Sequence, residues 1–149
     1  MNMQELPKHI KPILESLSAD ERAKLSKNIG RDLRSKQSKR ISTQKNTDGS
    51  TYQARKTKLR DRIKGKVRSK MFNKLKNLQY LKVMSSANSI EIGFIGRIAR
   101  IARVHQFGLR DRVARNASQV KYAKRELIGL STNDKQDIEK LLIKHIDLK

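Results

Sequence analysis

The sequence predicts an α+β fold: a small antiparallel sheet with flanking helices, a long N-terminal helix and an extended basic loop. Three observations carry this. An apolar stride of four, Leu25, Ile29, Leu33 and then Ile41, follows a capping signal. Two stretches of strand pattern, 79–85 and 89–95, are joined by Ala87-Asn88, which supplies a tight hairpin turn. Between these parts, the segment 52–70 carries Lys and Arg at nearly every second position and cannot form a core of its own. The chain thus divides into N-terminal helices (1–45), a basic loop or arm (46–70) and an α+β core (71–149), within one domain of 149 residues.

Taken in order, Ile10, Ile13, Leu14 and Leu17 share one face of a short helix over 8–17. Ser18-Ala-Asp-Glu21 reads as a capping box, in which Ser18 accepts from the Glu21 N–H while Glu21 reaches back. The helix it opens is expected to run to about Lys45. A stride of four drifts by about 40° per step against a turn of 3.6 residues. Ile41 therefore lies far around from Leu25, and either the helix curves or its second half meets a different partner from its first. Asn46-Thr-Asp-Gly-Ser50 is a turn, with Gly49 suited to a positive φ.

The basic arm holds Arg55, Lys56, Lys58, Arg60, Arg62, Lys64, Lys66, Arg68 and Lys70 against Asp61 alone. Its only apolar spacing is Leu59, Ile63 and Val67. Met71, Phe72, Leu75 and Leu78 then predict a turn or two of helix. In the second strand Ile90, Ile92 and Phe94 face one way, Glu91 and Gly93 the other. Residues 109–118 read as a polar loop and Val120-Lys-Tyr122 as a brief strand. Ser131-Thr-Asn-Asp134 caps a last helix over about 133–147, which packs through Ile138, Leu141, Leu142 and His145, with Ile146 at its edge.

The stretch Gly93–Gly108 is the sharpest feature. On its predicted helix Ile98, Ile101, Ala102 and His105 share one face, Arg100 and Arg103 point away from it, and Arg97 lies on the flank. Gly93 and Gly96 are expected to let strand and helix pack closely, and Gly108 to end the helix. Gly93-Phe-Ile-Gly96 lacks the third glycine or Gly-Lys-Ser/Thr ending of a phosphate loop. The arginines suit phosphates of duplex DNA, carboxylates of a neighbouring subunit or a solvated face, and the pattern alone does not choose among them.

Lys and Arg number 36 against 14 Asp and Glu, a net charge of +22, which calls for an anionic partner: nucleic acid, an anionic membrane or an acidic protein. The chain has no Cys, which excludes disulfides, thiolate metal sites and Cys nucleophiles. Aromatic residues make up 4%, with no Trp, too few for stacking platforms on single strands. No apolar run approaches the roughly 20 residues of a membrane span, and the N-terminus lacks a secretory pattern. His9, His105 and His145 have no sequence-local carboxylate or metal-ligand partner and read as satisfied core or interface histidines. No catalytic residue, cofactor or metal site is expected.

Asn46-Thr-Asp-Gly-Ser-Thr-Tyr52 followed by Arg55-Lys56, Met71-Phe-Asn-Lys-Leu75, Gly93-Phe-Ile-Gly-Arg97, Ile101-Ala-Arg-Val-His-Gln-Phe-Gly108 and Leu109-Arg-Asp-Arg112 together resemble the phage virion morphogenesis family, the tail completion proteins of contractile-tailed phages and related prophages. Val120-Lys-Tyr-Ala-Lys-Arg125 and Leu127-Ile-Gly-Leu130 are similar to the end of the family pattern, although Ala123 stands where a proline is common. The resemblance implies a structural protein without catalysis at the head-proximal end of the tail. It would reside in the host cytoplasm during assembly and then in the virion. It also implies a homo-oligomer, in related neck and terminator proteins a ring, contacting other tail or neck proteins, with no membrane partner. On this view Arg97, Arg100 and Arg103 meet carboxylates of a neighbouring subunit and the basic arm meets DNA. The alternative is a cytoplasmic nucleic-acid-binding protein that uses its basic surface on DNA or RNA.

Overall fold

A computed structural model describes residues 10–56, 70–112 and 114–147. Helix α1 (Lys11–Ser16) is followed by α2 (Ala19–Ser42), strands β1 (Leu81–Ser85) and β2 (Ile90–Phe94), helix α3 (Arg97–Phe107), strands β3 (Arg110–Arg112) and β4 (Gln119–Lys121), and helix α4 (Thr132–Asp147). The fold is α+β, but the strands form two separate antiparallel pairs, β1–β2 and β3–β4, rather than one sheet.

The expected capping box opens α2: the Glu21 N–H donates to Ser18 Oγ at 3.3 Å and the Ser18 N–H to Glu21 Oε2 at 2.9 Å. The helix ends at Ser42, three residues before the expected limit, because Gln44 takes φ +58, outside the helical region. The drift of its apolar stride has the consequence expected of it. Leu25, Ile29 and Leu33 pack with Ile10, Leu14 and Leu17 below and with Ile138 and Leu142 of α4. Ile41 belongs instead to a second cluster with Tyr52, Met71, Leu75, Ala102 and Leu127. Between the clusters the stride lands on Gln37, which is 2% exposed. Its amide donates to the Gly129 carbonyl at 2.9 Å and accepts the Gly129 N–H at 3.2 Å.

Helix α4 starts from a second reciprocal cap, Ser131 with Asp134. Lys36 of α2 bridges Asp32 and Asp137 at 2.8 and 2.7 Å, tying α4 to α2. The β1–β2 hairpin has the expected alternation. Its register pairs Leu81 with Phe94, Val83 with Ile92 and Ser85 with Ile90, so one face lies toward α2 while Met84 and Glu91 are exposed on the other. Gly30, in the middle of α2, is the point of closest approach: a Cβ there would lie 2.6 Å from Val83 Cγ1.

Two expected elements differ. Residues 73–80 form successive turns rather than a helix, because Phe72 has φ +63 and redirects the backbone. Within the expected polar loop 109–118, Arg110–Arg112 is a strand that pairs with Gln119–Lys121. The expected brief strand at 120–122 is therefore present one residue earlier.

Candidate basic interface

Helix α3 begins at Gly96 (φ +66) and ends at Gly108, in the left-handed conformation (φ +63), where the Gly108 and Leu109 N–H groups close onto the His105 and Val104 carbonyls. A Cβ on Gly93 or Gly96 would meet nothing within 4 Å, so neither is there for close packing; Gly96 is needed for its φ, as is Gly49 at +85, while Gly93 has no such requirement. Gly108 meets both conditions, with Lys124 backbone 3.1 Å from the position of a Cβ.

The buried side of α3 is Ala102 with half-buried Ile98 and His105, but Ile101, expected on that face, is 45% exposed and Val104, off it, is buried. Burial follows what lies against the helix: Phe94, Leu127 and Phe72 cover the Ile98–Ala102 side and leave Ile101 to solvent. Arg97, Arg100 and Arg103 are all exposed. No acidic side chain sits in the first turn, so Arg97 adds to the positive end of the helix dipole rather than offsetting it. Arg100 binds a carboxylate, but one of its own chain: it is paired with Asp111 of β3, whose carboxyl is held below its ordinary range by that hydrogen bond and by the Arg112 N–H. Arg97 and Arg103 have no ion pair among the described residues. Arg103 stands on the lining of an apolar cavity of about 280 Å³ with Phe94, Ala99, Ala102, Phe107 and Ile128.

Of the basic arm, Arg55, Lys56 and Lys70 are described and exposed. Lys58, Arg60, Arg62, Lys64, Lys66 and Arg68 lie outside the described residues, as does His9. The two ends of the arm are fastened to the same core. At one end, buried Arg125 donates to the Gln53 and Ala54 carbonyls at 2.7 and 3.3 Å. At the other, the Gln44 amide donates to the Met71 carbonyl at 2.8 Å and accepts the Met71 N–H at 2.7 Å. Edge-on rings fill the space between: Tyr52 on Phe72, Phe72 on His105 and His105 on Tyr122, with centroids 5.9, 4.8 and 5.0 Å apart.

Arg125 was not singled out by the sequence, where it is one cation among many. Its guanidinium also reaches His105 Nδ1 at 3.1 Å, which assigns that nitrogen as acceptor. Burial, then the positive charges of Arg125 and Arg55, push the His105 pKa down to about 4, so the ring is neutral. His105 is thus the satisfied histidine expected. His145 is not: its buried Nε2 has no hydrogen-bond partner among the described residues.

The β3–β4 ribbon adds cations, of which Arg110, Arg112 and Arg115 were expected in a polar loop and Lys121 in a brief strand. Arg110, Arg112 and Lys121 are exposed, as is Arg115 between the strands. Strand β3, Arg-Asp-Arg, has no apolar member and gives no periodic signal; the density of Arg over 110–115 was the available sign, whereas Val120 had marked its partner strand. Among the described residues no group of His, Cys, Asp and Glu can hold a metal ion, and no helix is long and apolar enough to cross a membrane.

Against known proteins, the phage virion morphogenesis family matches residues 1–147. The chain is similar to "Tail completion protein S" of Escherichia phage P2, at 33% identity over 136 residues, 91% of either chain. No solved structure matches it. With a family match running nearly end to end over this helix-and-ribbon fold and its exposed arginines, the chain belongs to the phage virion morphogenesis family.

Proposed function

We propose that this protein completes the phage tail and makes it competent for head–tail joining, by ring assembly at the head-proximal end of the tail and without catalysis. The observation that carries this is the similarity to a tail completion protein over 91% of both chains. The whole chain acts as one tail-completion domain, present in the host cytoplasm during assembly and then in the virion.

The geometry fits assembly. Arg97 and Arg103 face outward from a helix whose other side is buried, with exposed Phe107 beside them. They are the contacts offered to neighbouring tail or neck proteins, while Arg100 is engaged by Asp111. The two described ends of the basic arm are hydrogen-bonded to the core through Arg125 and Gln44, and the arm between them is the part offered to DNA.

Electron microscopy of particles made without this protein tests the reading. Separate heads and unfinished tails are expected; finished tails joined to heads would overturn it. Charge reversal of Arg97 and Arg103, with the Arg100–Asp111 pair left intact, should block joining while thermal unfolding is unchanged. A monomer that binds naked duplex at physiological salt, and is dispensable for tails, would favour direct nucleic-acid binding instead.

A further inference from the structure

We propose that the outer face of the β3–β4 ribbon binds the phosphate backbone of duplex nucleic acid. The register sets Arg110 directly opposite Lys121 and Arg112 opposite Gln119. Directly opposed residues, and residues two apart on one strand, share a face, so Arg110, Arg112, Lys121 and Gln119 form one surface, and all four are exposed. The other face carries Asp111 and Val120, and Asp111 turns toward α3 to meet Arg100. Asp111 therefore ties the ribbon to α3, Val120 beside it is 42% exposed, and the cationic face lies open to solvent.

Like charges directly opposite one another destabilise a strand pair. None of these three cations has an ion-pair partner among the described residues, so nothing in the described fold offsets the Arg110–Lys121 repulsion. Residues 97–124 hold eight Lys and Arg and a single acid, Asp111, which is already engaged. An anion outside the chain relieves that repulsion.

The chemistry of the face selects the anion. It has no apolar or aromatic member, so it lacks the centre of a protein-docking patch and the stacking surfaces that hold single strands. Charge alone suffices for the backbone of a duplex. Same-strand cations stand about 6.8 Å apart, and a two-stranded ribbon is narrow enough for the major groove, about 12 Å wide. The contact is independent of sequence, and it does not depend on the tail-completion reading.

The test is duplex binding by the full chain and by Arg110→Gln/Arg112→Gln/Lys121→Gln across a salt series. Three lost phosphate contacts should flatten the slope of log K against log salt by about 2.7, equally for unrelated sequences. Arg110→Lys/Arg112→Lys should keep the parent slope. The glutamine variant should melt no lower than the parent, because it removes a repulsion; a lower melting temperature would show the cations serve the fold and overturn the proposal. So would an unchanged salt slope, an absence of duplex binding by the parent, or a variant that binds duplex normally yet no longer binds an acidic tail protein.

Discussion

His105 is where a single side chain sets a property of the whole fold. Its ring lies between Phe72 and Tyr122 and accepts from Arg125, and its pKa falls from the ordinary 6.5 to about 4. Between those values the unfolded chain binds a proton that the folded chain refuses. Stability is therefore fully present above about pH 6.5 and declines as pH falls toward 4. The ring is only half-buried, so the decline is about 1–3 kcal/mol. Asp111, Glu126 and Asp137 are held below their ordinary range by hydrogen bonds to Arg100, Thr47 and Lys36 respectively. Their contribution declines only as pH falls through the ordinary carboxylate values, 4.5 for Glu126 and 3.8 for the two aspartates, so the slope above about pH 5 belongs to His105. Urea denaturation from pH 7.5 to 4 should show the slope in the parent and lose most of it in His105→Gln, which keeps an acceptor for Arg125. An equal slope in both would remove His105 as its origin.

At the scale of elements, the packing of the hairpin on α2 turns on Gly30. A helix-interior glycine costs about 1 kcal/mol relative to alanine, so Gly30→Ala gains that much in propensity. The added Cβ would lie 2.6 Å from Val83 Cγ1 and 3.4 Å from Ile90 Cγ2. Val83 is β-branched and stiff at χ1, and overpacking of this kind costs about 1–3 kcal/mol. Gly30→Ala should lower stability by about 1 kcal/mol net. Val83→Ala frees the space, so a double-mutant cycle read by chemical denaturation should return a coupling of about 1 kcal/mol or more. Simple additivity would mean that α2 and β1 separate without cost. The same helix shows what the sequence made legible and what it did not. The capping box and the drift from Leu25 to Ile41 are local properties of residue type and spacing, and both have the expected outcome. Gln37 was hidden because only the partner, Gly129, explains a buried amide on an apolar stride. Phe72 defeated the helical spacing of 71–78 through one positive φ. The Arg97, Arg100 and Arg103 face was legible as a face, but not that Asp111, eleven residues beyond Arg100, would take the middle arginine.

For the whole molecule, +22 on 149 residues sets a condition on any ring. Copies of this chain repel one another, and the obvious remedy, pairing arginines of one copy with carboxylates of the next, is constrained by how many carboxylates are already engaged. Asp32, Asp111, Glu126, Asp134 and Asp137 each bind a cation of their own chain. What can hold copies together is apolar: Leu78, Met84 and Phe107 are each more than 60% exposed, and apolar burial does not weaken with salt. Screening shortens the reach of the repulsion from about 10 Å at 0.1 M salt to about 3 Å at 1 M. The purified protein should therefore sediment as a monomer at low salt and associate as salt rises, while its binding to duplex falls over the same range. Phe107→Ser and Met84→Ser should suppress the association and leave the salt slope of duplex binding intact. Association that instead weakened with salt would place carboxylate–arginine pairs at the ring interface, and would return Arg97 and Arg103 to contacts between copies of this chain. On the charge balance found here, those two arginines are better matched to an acidic neighbour than to a second copy of this chain, and in the ring proposed above such a neighbour, or DNA, would have to offset the repulsion between copies.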